Sequence, residues 1–284
     1  MSRATAGHAA GIGISGALSF ACGDLLATTF GWRSAFILAA VSAAVAWVLV
    51  AIVLPKQAAP QAPRRDGAGL YNFRPVFRNR AAMAYALVYG VHSLEVNALR
   101  GWVVAFLAYV ATATGADPAS LLSPALIATG LGLIGTFASV AGNEAAIRFG
   151  RKRLIVSALL ASIVISAWIG FIGPMSYALA CTLVTIYGLV TWLDSSSLTA
   201  GTAGTAEPSR RGATLAIHSM LGYAGGFVGP LLIGWTLDLS GGMSPFGWGL
   251  SFLFIAGLVA LALIAFWMIW PRELEGDSRK GAVA

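Results

Sequence analysis

Positive charge in this chain gathers on one side of a series of long apolar runs, and that asymmetry limits the possible folds more than any other feature. A helix needs about 20 mostly apolar residues to cross the hydrocarbon core of a bilayer. Eight stretches meet that length: roughly 7–29, 33–54, 81–110, 123–142, 154–172, 176–200, 213–237 and 247–269. Of the 18 Lys and Arg residues, all but Arg33 and Arg100 lie in alternate gaps or at the ends. These are Arg3; Lys56, Arg64, Arg65, Arg74, Arg78 and Arg80; Arg148, Arg151, Lys152 and Arg153; Arg210 and Arg211; and Arg272, Arg279 and Lys280. The opposite gaps, 30–32, 111–122, 173–175 and 238–246, contain neither residue. Basic loops stay on the cytoplasmic side, so the pattern predicts an all-α polytopic membrane protein with eight transmembrane helices and both termini inside.

Composition points the same way. The chain is 58% hydrophobic and only 10% charged, against about 25% charged in soluble domains. A net charge of +7 would suit nucleic acid if it formed one folded face, but here it is dispersed over short membrane-flanking loops, which excludes that partner. The first apolar run is too long and too glycine-rich for a cleavable signal peptide. Membrane lipid is the surrounding the sequence asks for, and a bacterial cytoplasmic (inner) membrane is the expected location. Cys22 and Cys181 each lie alone within an apolar run, without ligand spacing, and read as small buried hydrophobes. His8, His92 and His218 fall on three different runs. No serine elbow, metal spacing or catalytic constellation accompanies them, so neither an enzyme nor a cofactor or metal is predicted.

The Pro-, Gln- and Arg-rich segment 55–80 reads as a linker. It divides the chain into two helices (1–54), a six-helix half (81–271) and a tail (272–284). Many transporters join two six-span halves by such a linker, so two spans before it imply either a start upstream of Met1 or a missing N-terminal half supplied separately. Glycine is frequent, 34 of 284 residues. Gly7/Gly11, Gly222/Gly226 and Gly225/Gly229 have the small-xxx-small spacing that lets helices approach closely. Gly11-Gly13-Gly16 and Gly130-Gly132-Gly135 spell a dinucleotide fingerprint, but lack the strand and βαβ unit it needs, so they are read as helix-packing faces.

Charges inside spans are costly and default to functional sites with named partners. In the third run, Tyr85, Tyr89, His92, Ser93, Asn97 and Arg100 spread over one broad polar face at about 100° per residue, which is expected to line a water-filled path. Glu95 and Arg100 are roughly 140° apart around that helix and do not face one another. Glu95, a turn from His92, is the candidate carrier of a coupling proton together with it. Arg100 keeps its proton and offers a planar fork, so Arg100, with Tyr89 and Asn97, is the candidate site for a small-molecule substrate, an anion by this reasoning. Structural ion pairs with other helices are the alternative for both charges. Asp194, with Ser197 on the same face of the sixth run, suits an inner gate or a cation; the alternatives are a salt bridge to Arg210 or Arg211 and hydroxyl-mediated packing. His218 with Ser219 reads as packing, and Asp24 as reaching water near the outer end of the first run.

Four segments in this order resemble the major facilitator superfamily of transporters. Gly31-Trp32-Arg33 followed by Phe36 is similar to the external turn between that family's fifth and sixth spans. Arg148-Phe149-Gly150-Arg151-Lys152-Arg153 is similar to its basic loop between spans eight and nine. Arg210-Arg211-Gly212, leading into a span with Gly225-Gly226 and Gly229-Pro230, resembles its eleventh, and the linker its central loop. The resemblance covers the whole chain as spans five to twelve, and implies a secondary transporter working by alternating access. The acid of the family's loop is Ile147 here, with Glu144 three residues earlier and a loop glycine only approximately matched by Gly142. Gating roles are thereby implied for Glu144, Arg148, Arg151 and Lys152, with Asp194 beside them. Physically, cations where a helix emerges either hold one conformation by pairing with an acid and a helix end or fix orientation on anionic lipid. A non-transporting membrane scaffold, or an incomplete fragment of the same fold, is the rival reading.

Overall fold

The computed structural model describes residues 2–53, 73–117, 123–271, 274 and 277. Most of the linker, with Lys56, Arg64 and Arg65, lies outside the described residues, as do Arg272, Arg279 and Lys280 and the side chains of Arg3, His8 and Asp24. Among the described residues there are helices and no strand: α1 (Ser2–Phe30), α2 (Trp32–Val53), α3 (Arg74–Arg78), α4 (Arg80–Thr114), α5 (Pro124–Phe149), α6 (Arg151–Ile172), α7 (Tyr177–Trp192), α8 (Ser195–Thr205), α9 (Arg211–Leu239) and α10 (Pro245–Ile269). Seven helical stretches among them are long and apolar enough to cross a membrane, α7 and α8 together counting as one. The first apolar run contributes a shorter stretch, Ile14–Phe30.

Local chemistry sets the boundaries. Asn79 caps α4 by accepting from the Ala82 amide at 3.1 Å, and Ser123 and Ser244 do the same for α5 and α10, each followed by proline at the first helical position, where a missing N–H costs nothing. Gly31, Gly115 and Gly150 take positive φ at the ends of α1, α4 and α5, a conformation other side chains resist. The linker expectation of 55–80 is modified at its end, where Arg74–Arg78 forms the short α3. The sixth apolar run is likewise not one helix. Leu193 donates back to Val190 at 3.1 Å, a tighter turn than α-helical, and a new helix starts at Ser195.

α4 is the spine of the bundle and touches α5, α7, α8, α9 and α10. Its closest neighbour is α9, and glycine is the reason. A Cβ at Gly225 would meet the carbonyl oxygen of Gly90, and one at Gly229 that of Leu94. These are the small-xxx-small positions read from sequence, and their absent side chains let the two backbones touch. Gly142 meets the Leu193 carbonyl and Gly170 that of Trp248 in the same way. Near the end of the bundle away from Arg148–Arg153, Trp248, Phe106 and Phe252 form an aromatic core with ring centroids 5.1–6.3 Å apart. α1 lies against α5, and α2 packs on α1. None of the 22 residues of α2 is buried.

Candidate functional site

A cavity of about 570 Å³ opens midway along the spans, between α4, α8 and α9 and the last turn of α7. The polar face of α4 lines it, as predicted, with Tyr89, His92, Ser93, Asn97 and Arg100. Tyr85 is the exception: it is fully buried, against Phe266 with centroids 5.5 Å apart and against Gly201. The opposite walls come from Trp192, Ser195, Thr199, His218 and Ser219, with the exposed Tyr223 and Phe227 at the rim.

The break between α7 and α8 delivers the site's central polar pair. It places Asp194 at the start of α8, where the carboxylate lies 3.0 Å from His92 Nδ1, both groups being almost fully buried. A histidine and a carboxylate at this distance in a low-dielectric interior are mutually dependent, because removing either leaves an uncompensated buried charge or polar group. Asp194 therefore reaches neither Arg210 nor Arg211; Arg210 instead lies 3.6 Å from Glu207. Ser139 and Ser196 hydroxyls share a hydrogen bond of 2.6 Å behind the break.

Glu95 lies a turn from His92 on α4 but does not line the cavity with it. Glu95 points away from the cavity into the α4–α6–α7 interface, where it accepts hydrogen bonds from the hydroxyls of Ser162 and of Tyr187, the latter at 2.7 Å. His218 has both ring nitrogens engaged on α8, by Thr202 at 3.1 Å and Thr199 at 3.3 Å. Its ring stacks on Tyr89 with centroids 3.8 Å apart. Asn97 donates to the Ser93 carbonyl at 2.8 Å. Arg100 lies between this cavity and a void of about 20 Å³ against α1, room for about one water. Gly16 of α1 makes space for the guanidinium: a Cβ there would meet Nη2 at 2.5 Å.

The basic turn assembles a second cluster. Arg151 is buried and clasps Asp277 of the tail with Nε and Nη2, at 2.8 and 3.1 Å. Its Nη1 donates to the Ser197 carbonyl of α8 at 3.1 Å. The acid facing this arginine is thus supplied from the far end of the sequence. Lys152 lies over the Trp270 ring at 4.5 Å, Glu144 is half-buried on α5, and Arg148 is exposed.

Sequence reasoning missed Tyr187, Ser162 and Asp277 as partners, and no pattern along the chain announces them. The Asp194-Ser195-Ser196-Ser197 run was a signal for the helix break, since four short polar side chains in a row compete with the backbone ladder and continue a helix poorly. No family model matches this chain, and no curated protein matches it. The bundle, the cavity and the two charge clusters are what any reading of function has to explain.

Proposed function

We propose that this chain is a secondary active transporter of a small solute, working by alternating access on a major-facilitator-like arrangement of eight spans. In this reading it sits in a bacterial inner membrane with both termini cytoplasmic, and the mid-bundle cavity is the solute site. The observation that carries the proposal is the His92–Asp194 pair, buried at a helix break, with His92 lining a cavity halfway across the spans. Discontinuous helices at the midplane are where transporters bind solute and coupling ions, and buried ionisable pairs in spans mark proton relays. Protonating Asp194 removes its charge from His92 and loosens the tie between α4 and the α7–α8 break. Proton coupling thus moves from Glu95 with His92 to Asp194 with His92. The Arg151–Asp277–Ser197 cluster joins α6, α8 and the tail at the basic end, and serves as the inner gate.

The test is reconstitution into liposomes loaded with a pH-sensitive dye, followed by imposed gradients of a panel of small solutes. The proposal expects at least one solute to move protons across the membrane, and Asp194→Asn to abolish that movement while solute exchange persists. Failure of every solute to give either proton movement or counterflow above empty liposomes would sink it. A non-transporting scaffold is the second reading, and the observation in its favour is α2, an apolar helix with no buried residue beyond its contact with α1. Solute-dependent thermal stabilisation separates the two, since a scaffold has no ligand to bind its native state.

A further inference from the structure

Arg100 is half-buried, and among the described residues no carboxylate or hydrogen-bond acceptor meets its guanidinium. The other charges close by are already matched: Asp194 by His92, and Glu95 by two hydroxyls on the far side of α4. No acid is among the residues that line the cavity, and Arg100 is the one fixed positive charge among them. A half-buried guanidinium is stabilised by an anion, and its planar fork matches a carboxylate through two parallel hydrogen bonds. Gly16 gives that fork its place, because the guanidinium occupies the space a side chain would fill there. Among the polar groups of the wall stand Trp192, Phe227 and Val96, which give an apolar body a surface to lie on.

We infer that the cavity takes an organic monoanion: one carboxylate head on Arg100 and a flat apolar body against Trp192 and Phe227. The inference rests on the proposed transport function for its meaning, and on the site alone for its chemistry. A dianion would bring a second charge with no cation to meet it, and an ammonium head would face the guanidinium; both are disfavoured in a low dielectric.

The purified full-length chain in detergent is titrated with benzoate, benzamide, benzylammonium and phthalate, with melting temperature and tryptophan fluorescence as readouts. Benzoate is expected to bind and stabilise, and the other three to bind at least tenfold more weakly. Arg100→Gln should weaken benzoate tenfold or more, since a hydrogen-bonded charge is lost, while its unliganded melting temperature stays level or rises because a half-buried charge is gone. Arg100→Lys, which keeps the charge and the fold but loses the fork, should give an intermediate affinity. The inference is overturned if benzoate gives no response, if benzamide, benzylammonium or phthalate equals it, or if Arg100→Gln binds it undiminished. Benzoate binding that depends on Arg100, without counterflow in liposomes, would remove the transport proposal and leave this site standing. Counterflow of amines or neutral solutes that ignores Arg100 would do the reverse.

Discussion

Replacing Gly229 with alanine should separate α4 from α9. The new methyl would meet the Leu94 carbonyl oxygen, with the Leu94 carbonyl carbon at 3.0 Å and the Ala98 amide nitrogen at 3.2 Å. Carbon contacts settle at about 3.5–4.0 Å, and all three atoms are backbone in the middle of a helix, so no side chain can turn aside. The axes must part by roughly an ångström, which loosens the Gly225–Gly90 approach one turn away as well. Overpacking of this kind costs about 1–3 kcal/mol, and a rigid backbone obstacle puts the expectation at about 2–3. For a chain of this size that is a fall of roughly 5–10 °C in melting temperature. The assay is thermal unfolding of the detergent-solubilised protein, followed by retention of its monodisperse peak. Gly257→Ala is the control: it lies within α10, exposed, with nothing within 4 Å of an added Cβ. There the better helix propensity of alanine makes the change neutral or stabilising. Equal melting of Gly229→Ala and the wild type would refute the argument, as would a loss from Gly257→Ala as large as that from Gly229→Ala.

Four further outcomes follow from the same geometry. Glu95→Leu leaves the Ser162 and Tyr187 hydroxyls without their acceptor and should cost about 2–4 kcal/mol in thermal unfolding, whereas Glu95→Gln should keep both stability and any proton-linked flux. A double-mutant cycle on His92→Ala and Asp194→Ala should return a coupling energy of about 1–3 kcal/mol, and additive losses would dissolve the pair. Arg151→Ala and Asp277→Ala should each destabilise by about 2–4 kcal/mol, and the double variant by no more than the worse single one, because either change alone strands a buried charge. In a chain with Cys22 and Cys181 replaced by serine, Met243→Cys should react with an impermeant thiol reagent added outside intact cells, and Arg153→Cys only after permeabilisation.

Much of the bundle is legible in the sequence because membrane helices answer to one-dimensional rules. Apolar length and loop charge gave α4, α6, α9 and α10 to within a few residues and α5 short of its last seven, and the four-residue glycine spacing marked the face of α9 that meets α4. The polar face of α4 was also readable, since Tyr89, His92, Ser93, Asn97 and Arg100 share it by helical periodicity alone. What periodicity on one helix cannot supply is the identity of the facing residue on another. Glu95 and His92 are a turn apart along α4, yet Glu95 meets α6 and α7 while His92 meets Asp194 across the bundle. The partner of Arg151 lies 126 positions away, beyond the reach of any local motif. The break at Leu193–Asp194 was hidden by hydropathy itself, because the α7–α8 stretch remains apolar enough on average to read as one span.

The serine- and threonine-rich makeup of α8 bears on how the molecule is put together in the membrane. Its eleven residues, SSSLTAGTAGT, offer a single large apolar side chain, and eight of them are buried. A segment with so many hydroxyls gains little from lipid, and in hydrocarbon each must return a hydrogen bond to its own backbone, as Thr199, Thr202 and Thr205 do to Ser195, Leu198 and Gly201. Its stable place is therefore one enclosed by protein on every side. Biogenesis then has an order: α2 can leave the insertion machinery as soon as it is made, whereas α8 must wait until α9, which is translated after it, arrives to cover it.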